Sequence, residues 1–196
     1  MTDVTELPIE QKLARSKKQM MWFAIASLVM MFAGLTSAYV VSSSRRDWVD
    51  IDMPSEFFYS TGVILLSSLT LWLAKNLIKK DNKSAAMIFT IVTFVLGTTF
   101  VVMQFMGFNS IIEMGYRFTG AASNVNASFI YVIVVAHLAH IVAGLICLLV
   151  MTIQTIRGKY TSESLLGFEL GSMFWHFVDV LWIYLLLFLV FAKDIF

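Results

Sequence analysis

Three histidines, an aspartate and a glutamate stand within or at the edge of long apolar runs, where an ionisable side chain is costly and therefore a candidate for function. His137 and His140 are three residues apart, so a helix puts them on one face. Glu169, His176 and Asp179 are spaced by seven and three and fall roughly along one stripe. Three chemistries suit these residue types. A bis-His b-type haem could use His140 or His137 with His176, although a dihaem site would need four axial histidines and the chain has three. A relay of carboxylates and imidazoles could carry protons, but the stripe stops near the middle and nothing ionisable lies in the first three apolar runs. The third chemistry is hydrogen bonding between helices. Trp175 and Trp182 flank Asp179 at helical spacing and offer indole N–H donors, and Gln104 is the one strongly polar side chain of its run. On spacing alone the third reading outweighs the haem. Copper binding by Met20, Met21, Met30 and Met31 weighs less than gap-filling packing. Cys147 reads as a small buried hydrophobe, with no partner for a disulfide.

These side chains need elements to hold them, and the charges define those elements. The 196 residues are 59% hydrophobic and 14% charged, with mean hydropathy +0.80 and net charge +1, which excludes a soluble enzyme, a nucleic-acid binder and a secreted disulfide scaffold. No Asp, Glu, Lys or Arg occurs in residues 19–44, 57–74, 84–112 or 118–156, and residues 170–192 carry only Asp179. A spanning helix needs about 20 apolar residues. The expected fold is therefore an all-α membrane protein, a bundle of five transmembrane helices over about 19–41, 57–74, 86–108, 128–152 and 170–192. Residues 118–127, with Thr119, Gly120, Ser123, Asn124 and Asn126, favour turns. Residues 1–18 are expected as a cytoplasmic N-terminal segment without a removable signal peptide, and 19–196 as a single domain.

Orientation follows from the cations. Lys12, Arg15, Lys17, Lys18, Lys75, Lys79, Lys80, Lys83, Arg157 and Lys159 fall on one side, against Arg45, Arg46, Arg117 and Lys193 on the other. Ten against four puts the N-terminus in the cytoplasm and the C-terminus outside. Pro8 and Pro54 both fall outside the spans, which argues against the broken helices of a carrier. Ala33/Ser37, Gly34/Ala38 and Ala139/Ala143 are small-residue pairs that allow close helix packing. The helices that hold His140 and Asp179 run antiparallel. Counting 12 and 9 residues from their inner ends places the two within roughly 5 Å in depth, so they pair if the helices touch.

The stretch from Leu166 to Trp182, with Trp175-His176-Phe177-Val178-Asp179-Val180-x-Trp182 at its centre, closely resembles the signature of subunit III of haem–copper terminal oxidases. His137-x-x-His140-Ile-Val-x-Gly144 resembles the paired-histidine motif of that family, and Gln104 and Tyr160-Thr161-Ser162 fall where the family has them. The similarity runs from about residue 12 to the end, and the layout is similar to the five-helix bacterial members. The resemblance implies a non-catalytic subunit of cytochrome c oxidase, in the multi-pass protein set of a bacterial cytoplasmic membrane. Such a subunit has no haem, copper or other metal of its own. It stabilises catalytic subunit I, supports proton uptake there, lies in a complex with subunit II, and binds phospholipid. Membership of a larger respiratory supercomplex stays open.

Carried over residue by residue, the resemblance makes His137, His140, Glu169, His176 and Asp179 a structural polar network between the fourth and fifth helices. Trp175, Trp182 and Gln104 would be donors to it, and Arg157 and Lys159 lipid headgroup contacts. Two positions depart from the family pattern. Leu28 follows Ser27 where many members have a buried Glu, and Gly107 stands where a Glu often follows the Gln of the third helix. Subunit III of a quinol oxidase is the near alternative, and a b-type haem anchor of a respiratory dehydrogenase a more distant one.

Overall fold

The computed structural model describes residues 8–116, 124–161 and 165–195, apart from the side chains of Lys193 and Asp194. Arg117, Thr119, Gly120, Ser123 and Ser162 lie outside the described residues. Five helices follow one another: α1 (Ile9–Ser43), α2 (Ser55–Lys79), α3 (Lys83–Glu113), α4 (Val125–Ile156) and α5 (Leu166–Ile195), with no strand among the described residues. The shortest has 25 residues, about 38 Å at 1.5 Å per residue, which exceeds a hydrocarbon core of about 30 Å. All five are long and apolar enough to cross a membrane. The chain is a multi-pass membrane protein.

All five helices begin before the spans expected from the sequence, and the starts of α1 and α4 have identifiable causes. α1 starts directly after Pro8, because the polar stretch containing Lys12, Arg15, Lys17 and Lys18 holds good helix formers and no breaker. α4 starts at Val125 rather than after the turn-prone stretch. Asn124 caps it, its side-chain oxygen accepting the Asn126 N–H at 2.7 Å, so Asn126 and Ala127 are buried in the first turn. The Asn126 amide then donates to the Val49 carbonyl at 2.9 Å, which pins the loop after α1 to the start of α4.

α2 and α3 form an antiparallel hairpin. Its tight turn passes through Asp81 at φ 55°, and Asn82 caps α3 by accepting the Ala85 N–H at 3.3 Å. From there α3 packs on α4, α4 on α5, and α5 back on α2, closing a ring of four helices. α1 lies outside that ring, against α4 and α5. The small-residue pairs do not make the close packing. Ala33, Gly34, Ser37, Ala38, Ala139 and Ala143 are all exposed on the outer surface, and so is Cys147, contrary to its expected burial. The close approaches occur instead where glycines face a large ring. A Cβ on Gly97 of α3 would sit 2.7 Å from Trp175, and one on Gly144 of α4 would sit 2.9 Å from the same indole.

Candidate functional site

α2 carries Ser60 and Ser67, and Thr61 and Ser68, each pair seven residues apart and so nearly in line along the helix. α5 runs antiparallel to it with Trp175 and Trp182, also seven apart. The two series meet. Trp175 Nε1 donates to Ser67 Oγ at 2.8 Å and Trp182 Nε1 donates to Thr61 Oγ1 at 3.0 Å. Between these rungs, Ser68 donates to Asp179 Oδ2, and its Oγ lies 2.8 Å from Nδ1 of His176. Gln104 reaches the same row from α3, donating to Ser60 Oγ at 2.9 Å. Every one of these contacts ends on a hydroxyl of α2.

The expected network between α4 and α5 therefore does not form as drawn. His137 is buried with Trp182 stacked on its ring (centroids 5.2 Å apart, planes at 27°) and with Phe32 and Phe100 edge-on at 6.3 and 6.4 Å. Neither of its ring nitrogens has a hydrogen-bond partner among the described residues. His140 turns back on its own helix, its Nδ1 2.7 Å from the Ala136 carbonyl, rather than reaching Asp179. The physical reason is composition: α4 presents glycine, aliphatic groups and rings to α5, whereas α2 presents hydroxyls. Trp175 and Trp182 donate to those hydroxyls, not to Asp179, and Asp179 Oδ1 is buried without a partner among the described residues.

Glu169 belongs to a separate cluster, two turns along α5 from His176. Its Oε2 is 3.1 Å from Lys18 of α1 and its Oε1 3.7 Å from Lys75 of α2. These contacts tie three helices at the lysine-rich end, and both lysines keep substantial exposure. Arg157 and Lys159 follow α4 at that end and are exposed. Tyr160 is buried edge-on against Phe168 at 5.5 Å, and burial pushes its hydroxyl above the ordinary tyrosine range. At the opposite end Arg45 grips Asp47 with two hydrogen bonds of 2.9 Å. That pairing holds the Asp47 carboxyl below its usual range and raises the Arg45 guanidinium.

The two departures from the family pattern have packing counterparts. The Phe57 ring occupies the space that a side chain at Gly107 would need, and it also meets Trp182 at 5.8 Å and Phe108 at 6.3 Å. Leu28 is partly buried against the core. A macrocycle has no space beside His137, whose ring is covered by Trp182, Phe32 and Phe100. Among the described residues, no three His, Cys, Asp or Glu side chains gather to hold a metal ion.

The model of the family "Cytochrome c oxidase subunit III" matches residues 13–193. The chain belongs to that family. Cytochrome c oxidase subunit 3 of Alkalihalophilus pseudofirmus is 30% identical over 171 residues, covering 84% of this chain and 81% of that protein. Cytochrome bo(3) ubiquinol oxidase subunit 3 of Pseudomonas aeruginosa is 28% identical over 166 residues, covering 83% and 78%. The probable cytochrome c oxidase subunit 3 of Rickettsia prowazekii is 34% identical over 133 residues, which are 67% of this chain but 46% of that longer protein. This chain is thus a subunit III of a haem–copper respiratory oxidase, acting in a complex with other oxidase subunits. The residues of this subunit III that sequence reasoning passed over are Ser60, Thr61, Ser67 and Ser68. Their signal was present as two seven-residue hydroxyl spacings that match the tryptophan spacing of α5.

Proposed function

We propose that this subunit III is a scaffold for the catalytic part of a cytochrome c oxidase. It packs against subunit I, beside subunit II, in the cytoplasmic membrane of a bacterium, with the ten-cation end inside. Residues 1–18 are then the cytoplasmic lead-in, and 19–196 one transmembrane domain. It supports proton uptake through subunit I and binds phospholipid, while haem and copper sit in the partner subunits. His137, His140, Glu169, His176 and Asp179 serve its internal architecture, with Trp175, Trp182 and Gln104 as donors. The observation that supports this reading is the direction of the polar bonds. Trp175, Trp182 and Gln104 are turned inward onto α2 and expose no converging reactive groups to a substrate. An apolar groove of about 350 Å³ between α1 and α5, lined by Val29, Phe32, Val180 and Tyr184 among others, suits an acyl chain. Arg157 and Lys159, exposed after α4 at the lysine-rich end, suit lipid headgroups.

The test is purification with and without this chain. The reading expects co-purification with a haem- and copper-containing partner and faster inactivation during turnover when the chain is deleted. It also expects no chromophore in the isolated polypeptide. Stoichiometric haem with a b-type spectrum in that polypeptide would overturn it and favour a haem-bearing anchor. The similarity to a ubiquinol oxidase subunit 3 supports a second reading, with quinol as electron donor. A dinuclear copper centre in the partner subunit II decides for cytochrome c, and its absence for quinol.

A further inference from the structure

A serine hydroxyl has one hydrogen to give and lone pairs to accept with. Ser68 Oγ is bonded on two sides, to Asp179 Oδ2 and to His176 Nδ1 at 2.8 Å. It cannot donate to both. If it donates to the carboxylate, the imidazole must hold a proton on Nδ1 and donate it. If it donates to Nδ1, the carboxyl must hold the proton and donate to Oγ. Both arrangements use the same heavy-atom positions.

We propose that Ser68 joins His176 and Asp179 into one proton-sharing unit across the α2/α5 seam, in which reversing the hydroxyl passes a proton between ring and carboxyl. The exchange balances. From imidazolium and carboxylate, the Nδ1–H bond breaks as a new O–H bond forms on Ser68. The original Ser68 O–H bond breaks as Oδ2–H forms, leaving neutral imidazole, serine and carboxylic acid. The unit has no net charge in either form, which suits a site with Asp179 only 1% exposed. His176 is the partly exposed member of the unit and stands two turns along α5 from the Lys18–Glu169–Lys75 cluster.

The surrounding charges are few. α2 contributes Lys75 and Lys79, α1 contributes Lys18, α4 contributes His137 and His140, and α5 itself contributes Glu169; α3 has charges only at its ends, Lys83 and Glu113. None of these bonds to Ser68, Asp179 or Nδ1 of His176 among the described residues. The unit is the same whether the oxidase takes electrons from cytochrome c or from quinol.

Infrared titration of the assembled oxidase tests it, following the Asp179 carboxyl band identified by its loss in Asp179→Asn. His176→Gln keeps a polar side chain but removes the titrating ring, and should move the midpoint of that band by about one pH unit or more, as expected for coupled groups. Ser68→Ala should move it similarly, and Ser68→Thr, which keeps the hydroxyl, should restore the wild-type curve. An Asp179 band with the same pH dependence in wild type, His176→Gln and Ser68→Ala overturns the proposal. If Ser68→Ala does not assemble, an unchanged curve in His176→Gln alone overturns it.

Discussion

The two seams that α5 makes with its neighbours differ in kind. Toward α2, Trp175, His176, Asp179 and Trp182 all end on hydroxyls. Toward α4, the imidazole of His137 stacks on Trp182 and has no hydrogen-bond partner among the described residues. α4 carries two histidines, yet the polar cohesion of α5 lies with α2, whose residues 57–74 include no Asp, Glu, Lys, Arg or His. What a buried donor does depends on what the opposite helix offers it. In lipid, a row of small hydroxyls is a sufficient offer, with interhelical side-chain bonds worth about 0.6 kcal/mol on average.

Substitutions can break or sharpen that contrast. Trp175→Ala should have the largest effect. It removes the bond to Ser67 and empties the space that Gly97 and Gly144 leave for the indole, so a loss of about 3–5 kcal/mol is expected. Thermal release of this subunit from the detergent-solubilised complex measures it, and an unchanged release temperature would contradict the part given to Trp175 in joining α5 to α2, α3 and α4. Asp179→Ala removes the hydrogen bond between Ser68 and the carboxyl, and because Nδ1 of His176 remains as an acceptor for the hydroxyl the cost should be about 1 kcal/mol. Asp179→Asn, which keeps an acceptor, should cost less, and the oxidase haem spectrum should not change in either variant.

On the α4 side the expected effects are small and of different sign. His137→Phe keeps the stacking on Trp182 and removes two buried nitrogens that have no hydrogen-bond partner among the described residues. It should leave stability within about 1 kcal/mol of wild type or raise it. A large destabilisation in the same release assay would mean that His137 makes a polar contact after all. The smallest effect belongs to the exposed Arg45–Asp47 pair. Asp47 is held below its ordinary range, so any contribution is present above the unfolded carboxylate range and is lost as pH falls through the folded one. Both side chains are more than half exposed, so solvent screens the pair and Asp47→Asn should leave release temperatures nearly unchanged even at neutral pH, where any contribution is fully present. A carboxylate resonance titrating below ordinary Asp values, followed by NMR in the wild type, checks the pairing itself.

The five helices were legible because charge-free runs of bilayer length leave the chain little alternative. Their starts were not, since Lys12 to Lys18 and Asn126 are as compatible with helix as with loop until Pro8 and the Asn124 cap fix the first turn. Asp179, His176 and Trp175 announced themselves as residues that matter, through their rarity in lipid and their motif. Their partners did not. A serine in an apolar helix looks like background, and only the antiparallel register of α2 and α5 turns Ser67 and Ser68 into acceptor and bridge. The glycines tell the same story. Gly34 and Gly144 look alike in a one-dimensional pattern, yet one faces open space and the other the Trp175 indole.

The back-bonding of the α2 hydroxyls bears on how the chain is made. Ser60 and Thr61 each donate to the Phe57 carbonyl of their own helix, at 2.9 and 2.8 Å. Translation delivers α2 more than a hundred residues before Trp182 is synthesised. A hydroxyl already bound to its own backbone enters the bilayer with its proton satisfied and its lone pairs still available. The nascent chain can thus store the receiving half of its final helix contact in lipid, at little cost, until the last segment arrives to use it.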